Sequence, residues 1–343
     1  MIRAAIVGLG RWGRALVTAV AGKTSSIPGS SDLRFVLGTT RTRASAEDFC
    51  RDKNIKLVDS YDDILRDPDI DAVVLATPHS QHQGQVLAAI AARKHVFVEK
   101  PLTLDLASAR AVADAAHKSG LILAVGFTRR FHPSVGEVRA RVRDRRLGDV
   151  MALVAQHTTS TAQFVAPDNW RAAPEEAPGG AFTAVGVHAL DHMIEFAGRV
   201  RDARCVTARY YPGPSDDTTT VMLRFVSGAT GLIFCSVATA TNFAFTAYGT
   251  NGLAEITRAD LSRFRFTPAS TAAPTGVVAA PPDEILEFSG FDMLREEMTA
   301  FARTIRDGNS YPVPIADVLH GMAVFEAIIE SAKRGGEAIA VNE

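Results

Sequence analysis

The run Gly8-Leu9-Gly10-Arg11-Trp12-Gly13 constrains the fold of this chain more than any other feature. It follows directly on a continuous apolar stretch, Ile2–Val7, and opens a segment, Arg11–Ala21, with a helical pattern. A strand that turns through three glycines into a helix is the geometry of a dinucleotide-binding βαβ unit. Gly8 makes the tight turn, Gly10 lets a diphosphate approach the backbone, and Gly13 lets helix and strand pack closely. The phosphates then lie at a helix N-terminus, where unpaired N–H groups and the helix dipole favour anions. Arg11 and Trp12 belong to the same turn and are expected beside the cofactor.

The pattern continues. Further strands are expected at Leu33–Thr39, Ala72–Ala76, His95–Val98 and Ile122–Val125, with helices over Gln81–Arg93 and Leu106–Lys118. Asp105 is placed to cap the last helix and Gly120 to end it. Strands that are continuously apolar and separated by helices imply a parallel sheet covered on both faces. Gly22–Ser31 reads as a loop.

After Gly126 the character changes. Strands are expected at Val150–Gln156, Ala203–Tyr210, Thr218–Phe225, Gly231–Ala238, Asn242–Tyr248 and Ala254–Thr257, several with period-two alternation and one hairpin turn at Ser227-Gly228. Thr267–Pro282, rich in Ala, Thr and Pro, reads as a loop. Phe291, Leu294, Met298, Phe301 and Ile305 form the stripe of a helix stopped at Gly308, and Asp317 is expected to cap a last helix reaching Arg334.

The predicted class is therefore α/β. An N-terminal Rossmann domain with a doubly wound parallel sheet occupies residues 1–125, and an α+β domain with a large, mostly antiparallel open sheet occupies 126–343. The C-terminal helices are allowed to pack back on the first domain. A length of 343 residues suits two domains.

With 47% hydrophobic and 22% charged residues the chain is globular, and a formal net charge of −1 gives no footprint for nucleic acid or an anionic membrane. The cluster Arg139–Arg146 reads as the solvated face of a helix. Three separated cysteines without C-x-x-C spacing fit a reducing compartment, and no set of residues has the spacing of a metal site. No secretory-signal pattern precedes the first strand and no uncharged apolar run reaches spanning length, so a cytoplasmic protein is expected.

The second strand ends Gly38-Thr39-Thr40-Arg41-Thr42-Arg43, with no carboxylate to hold an adenosine ribose. Hydroxyl and guanidinium groups, Thr40 and Arg41 first, could instead take a 2′-phosphate, which favours NADP over NAD. Ala76-Thr77-Pro78-His79-Ser80-Gln81-His82 and Glu99-Lys100-Pro101-Leu102 both follow strands of the parallel sheet, at the carboxyl ends where such sheets bind ligands. Thr77, Pro78, Glu99 and Lys100 are expected to line the cofactor, with His82 capping a helix beside it. An ammonium is costly to bury without purpose; Lys100 at such a strand end could hydrogen-bond a reacting hydroxyl and help it lose its proton. His79, His82, His117, His157, His192 and His320 also suit surface or satisfied core positions.

Taken in order, these landmarks resemble the glucose–fructose oxidoreductase / inositol dehydrogenase / rhizopine-catabolism (Gfo/Idh/MocA) family over nearly the whole chain. The matching stretches include the glycine run, Asp67-Pro68-Asp69-Ile70-Asp71, Ala76-Thr77-Pro78, Glu99-Lys100-Pro101, Gly126-Phe127-Thr128-Arg129-Arg130-Phe131, Trp170-Arg171, Gly179-Gly180 and Gly186-Val187-His188-Ala189-Leu190-Asp191. The resemblance implies an NAD(P)-dependent oxidoreductase acting on a sugar, inositol or related polyol. It implies that Lys100 is the catalytic lysine and His188 the acid/base. It also implies that Arg129 and Asp191 contact substrate, and that Trp170-Arg171 form a loop closing near the nicotinamide. One position departs: the family commonly carries aspartate four residues before the histidine, and here that residue is Ala184. In an i, i+4 helical pair the two side chains would share a face. Two alternatives stay open, a non-catalytic dinucleotide-binding regulator and a glycoside-cleaving enzyme that recycles its NAD. The open face of the second sheet implies a homodimer or homotetramer.

Overall fold

The computed structural model describes residues 1–24, 27–165, 169–270 and 281–342. Along the first part of the chain run β1 (Ile2–Val7), α1 (Arg11–Ala21), β2 (Gly22–Thr24), β3 (Ile27–Pro28), β4 (Leu33–Thr39), α2 (Glu47–Asp52) and β5 (Lys56–Leu57). Then come α3 (Tyr61–Arg66), β6 (Ala72–Leu75), α4 (His82–Ala91), β7 (His95–Glu99), α5 (Leu106–Ser119) and β8 (Leu123–Gly126). The second part holds α6 (Pro133–Arg143), β9 (Val150–Thr158), α7 (Val187–Ala197), β10 (Val200–Ala208), β11 (Thr218–Phe225) and β12 (Thr230–Ser236). It continues with β13 (Asn242–Gly249), β14 (Gly252–Ile256), β15 (Arg263–Pro268), β16 (Glu284–Glu287), α8 (Met293–Asp307), α9 (Ile315–Lys333) and β17 (Ile339–Ala340).

Two compact units result, Met1–Phe131 with Asp292–Leu319, and His132–Phe291 with His320–Glu343. Both are discontinuous in sequence, unlike the contiguous division at 125/126, because α8 joins the first unit. Phe301 of α8 meets Phe97 of β7 with ring centres 5.7 Å apart, and Arg303 and Arg306 both reach Asp32 ahead of β4.

Among the described residues the first unit holds a six-stranded parallel sheet ordered β5-β4-β1-β6-β7-β8. All of β6 is buried, as are the last four residues of β1 and of β7, which is why these strands carry no alternation. Strand order runs outward both ways from β1, so the end of β1 is the switch point where open α/β sheets bind ligands. Asp105 accepts from the Ser108 N–H at 2.7 Å and Gly120 takes the left-handed conformation, fixing both ends of α5. Within the stretch expected as a loop, β2 and β3 pair as a short hairpin; Ser25 and Ser26 lie outside the described residues. Asp317 is not a cap: it sits in the first turn of α9 and accepts from the buried Arg130 guanidinium at 3.1 Å.

Among the described residues the second unit is built on a nine-stranded sheet ordered β16-β15-β14-β13-β9-β12-β11-β10-β17, antiparallel except for β9 beside β12. Alternation decides its faces. Val221, Leu223, Ile233, Phe243 and Phe245 point into the core, while Met222, Leu232, Phe234 and Tyr248 remain exposed. The end of β15 takes up Thr267 and Pro268 of the expected loop Thr267–Pro282, and β16, beyond its far end, pairs with β15; residues 271–280 of the loop lie outside the described residues. A second correction concerns the arginine cluster. Arg141 is buried, its guanidinium 4.4 Å over Phe264 and hydrogen-bonded to Glu284 at 2.7 Å, so α6 uses it to hold the sheet rather than to face water.

Candidate active site

In the first unit the carboxyl ends of β1, β6 and β7 lie side by side. Gly8 has φ +95°, and a Cβ there would stand 2.6 Å from the Ala76 carbonyl oxygen. A Cβ on Gly13 would stand 2.0 Å from the Gly8 oxygen, so α1 reaches the turn only because neither residue has a side chain. Gly10 is different. Nothing lies within 4 Å of its Cβ position, and it caps α1 without a side-chain hydrogen bond. The first turn of α1 therefore presents N–H groups to open space, an arrangement that fits a dinucleotide diphosphate. Arg11 is exposed and Trp12 half-buried at the same helix start.

Arg14, which the sequence reading did not single out, secures this turn. Its guanidinium donates to the Leu9 carbonyl at 3.0 Å and to the Ser45 carbonyl, tying the glycine turn to the segment beyond β4. In that segment Arg43 is engaged by Asp59 at 2.6 Å, whereas Arg41 is exposed and has no hydrogen bond or ion pair among the described residues. Thr40 is half-buried beside it.

Beyond β6, Thr77 donates its hydroxyl proton to Gln85 at 2.6 Å, and Pro78 leads into a single 3-10 turn before α4. His82 does not cap that helix. It is the first residue of α4, fully buried, with Nδ1 2.9 Å from the Pro101 carbonyl oxygen and Nε2 3.2 Å from that of Thr77. Glu99 ends β7 in a buried position, where its carboxylate packs 3.1 Å from the Cβ position of Gly126. Lys100 follows half-buried, joined to Pro101 by a cis peptide. Arg129 stands in the 3-10 turn after β8, and desolvation pushes its guanidinium down to about 10, still charged at neutral pH.

In the second unit Phe182–Gly186 forms a π-helical turn leading into α7. The spacing from Ala184 to His188 thus crosses a π turn, not the regular α-helical pair that sequence spacing suggested; such turns recur at functional sites. Ala184 is exposed, while His188, Asp191 and His192 are buried along the start of α7. His157 of β9 joins them: its ring centre lies 6.0 Å from that of His188, and its Nδ1 lies 3.0 Å from the Val185 carbonyl oxygen. His157 occupies the inward phase of β9 with Leu153 and Ala155, so strand alternation was the signal that could have marked it. His192 is enclosed by Phe196, Phe243 and Phe245. Trp170 and Arg171 share a short turn started by Asn169, the Arg171 guanidinium 4.2 Å over the indole. His320 is a core histidine, accepting from the Val200 N–H at 2.8 Å. Among the described residues no group of His, Cys, Asp or Glu is arranged to hold a metal ion, and no helix is long and apolar enough to cross a membrane.

A glycine turn at the switch point of a parallel sheet, followed by a lysine-bearing strand end, defines a Rossmann-type dinucleotide enzyme. Comparison with known proteins gives the family. Residues 2–127 match the model described as "Oxidoreductase family, NAD-binding Rossmann fold", and residues 135–255 match that of the "GFO/IDH/MocA C-terminal domain". The chain belongs to the Gfo/Idh/MocA family of oxidoreductases. It is 28% identical over 228 residues, 66% of its length and 67% of the relative's, to trans-1,2-dihydrobenzene-1,2-diol dehydrogenase of Sus scrofa. Over 153 residues, 43% of this chain and 42% of the relative, it is 35% identical to the scyllo-inositol 2-dehydrogenase (NAD(+)) of Bacillus subtilis. A solved levoglucosan dehydrogenase, in complex with NADH and levoglucosan, shares the fold with a TM-score of 0.88 at 20% identity, covering 100% of both chains.

Proposed function

We propose that this chain moves hydride between a nicotinamide dinucleotide and the secondary alcohol or carbonyl of a sugar, inositol or related polyol. The observation that carries the reading is the open space over Gly10, set between two glycines that cannot bear a side chain, at the strand ends that also present Thr77 and Lys100. The bound nicotinamide supplies the hydride chemistry. Lys100 hydrogen-bonds the reacting oxygen and stabilises its negative charge, and His188 exchanges the proton. Arg129 and Asp191 hold substrate hydroxyls, and Trp170 with Arg171 closes over the nicotinamide side. The relatives named for diols, inositol and levoglucosan support the substrate class.

NADP is the preferred cofactor in this reading. No carboxylate ends β4, and Arg41 is uncommitted while Arg43 is held by Asp59. The affinity ratio of NADPH to NADH should exceed one and collapse in Arg41→Ala; tighter NADH binding by the wild type refutes this reading of the strand end. Incubation with a panel of polyols tests the activity. Net nicotinamide reduction supports the dehydrogenase, bound but silent cofactor the regulator, and sugar release without net reduction a glycoside-cleaving enzyme.

The exposed apolar face of the second sheet fits a second copy of this chain, in a homodimer or homotetramer. Met222 lies directly across from Leu232, and Phe234 across from Thr220, whose other neighbour is Val206. A self-complementary face of this kind suits two-fold pairing. The three cysteines are all buried and free, which accords with a reducing, cytoplasmic setting.

A further inference from the structure

Both ring nitrogens of His82 face backbone carbonyl oxygens, at 2.9 Å from Nδ1 and 3.2 Å from Nε2, in a side chain with no exposed surface. A carbonyl oxygen only accepts, and a neutral imidazole carries a single N–H. A neutral ring would serve one carbonyl and turn a lone pair on the other. Only the imidazolium donates to both. We propose that His82 is held as an imidazolium in the folded protein, clamping the Thr77 turn to the Pro101 turn and so positioning Lys100.

Three terms bear on that charge. Burial penalises it, and the positive end of α4, where His82 is the first residue, opposes it. Against them stand two charge-assisted hydrogen bonds, the strong kind, to the Pro101 and Thr77 carbonyls. His79 meets the ring edge-on with centres 5.7 Å apart, and Glu99 and Lys100 stand at the end of β7. Asp105 at the start of α5 is bonded to Ser108, and the other charged residues of α5 are exposed. α4 carries no acid and no second base.

The clamp explains why two separate turns can act together. Thr77 follows β6 and Pro101 follows β7, adjacent parallel strands whose register runs to Leu75 and Val98. His82 links the two turns past those strand ends. Deprotonation would bring the Nε2 lone pair against the Thr77 oxygen and free that turn. The consequence for the cofactor rests on the reading of Thr77 and Lys100 above; the charge itself does not.

The charge is read from long-range proton–nitrogen correlation of the full chain labelled at histidine nitrogen, with His82 assigned by its loss in His82→Gln. Both ring nitrogens should show imidazolium shifts at pH 7 and still at about pH 8, above the ordinary histidine value of about 6.5. A ring with one protonated nitrogen at pH 7 overturns the proposal. The clamp is read from dinucleotide affinity in two variants. His82→Gln, whose amide donates, should stay within about threefold of wild type, whereas His82→Leu, with no donor, should lose about tenfold or more. Equal affinities in the two folded variants overturn the clamp. If the wild type binds neither NADPH nor NADH, the functional reading has failed, and the nitrogen spectrum still decides the charge.

Discussion

Alanine placed at Gly10 and at Gly13 should separate cofactor binding from folding. At Gly13 the new Cβ would lie 2.0 Å from the Gly8 carbonyl oxygen, against an ordinary contact of about 3.5 Å. The obstacle is backbone, so α1 must move away from the β1 turn by more than an ångström. Overpacking of this kind costs about 1–3 kcal/mol, and a rigid obstacle places Gly13→Ala at the upper end. At Gly10 the Cβ meets nothing within 4 Å, and φ −72°, ψ −170° suits alanine. A gain of about 0.4–1 kcal/mol from a stiffer unfolded chain offsets the poorer helix cap, leaving stability within about 1 kcal/mol of wild type. The same methyl group would occupy the space offered to the diphosphate. Losing a backbone hydrogen bond to a charged group costs about 1.5–3 kcal/mol, a ten- to hundredfold weaker Kd. Urea unfolding and fluorescence titration with NADPH and NADH measure the two effects. Unchanged dinucleotide affinity in Gly10→Ala, or unchanged stability in Gly13→Ala, refutes the reasoning.

Lys100→Met should bind cofactor yet lose turnover by at least about a hundredfold, and full activity in steady-state assays would remove the lysine from the mechanism. Ala184→Asp should fold, since Ala184 is exposed, and its added carboxylate should lower activity on the native substrate if the pocket is shaped for a bulkier or anionic one. Undiminished activity with an unchanged ranking of polyols rejects that reshaping. Asp32 responds to pH: burial raises its carboxyl pKa, but hydrogen bonds from Arg306 and Arg303 and their charges outweigh burial and hold it below the usual value. Its stabilisation is therefore complete above about pH 3.9 and is lost as pH falls through the depressed folded value. Thermal melts should show wild type above Asp32→Asn at neutral pH and the gap closing in acid; a constant gap contradicts the ion-pair account.

Much of the first unit was legible because its signals are local. Ile2–Val7, the glycine turn and Arg11–Ala21 were readable as strand, turn and helix from neighbouring residues alone, as were the Asp105 cap and the Gly120 end of α5. β16 was missed because Glu284–Glu287 becomes a strand only by pairing with β15. Arg141 was misread because nothing near it in sequence reveals Phe264 and Glu284, more than a hundred positions away. His157 looked ordinary until β9 and α7 brought it beside His188.

By itself the sequence determined the alternation of strands and helices, the parallel sheet and the dinucleotide turn, since backbone sterics and apolar periodicity act over a few residues. Only the tertiary structure decided what each polar side chain faces. His82 reads from sequence as a helix cap, yet its ring nitrogens face the Thr77 and Pro101 carbonyls, delivered by two different strand ends. Arg41 and Arg43 look alike in sequence, and the fold commits Arg43 to Asp59 while Arg41 has no such partner among the described residues. Hydrogen bonds and ion pairs act over about 3–4 Å in space, whatever the separation along the chain, so partner choice is settled only when the elements pack.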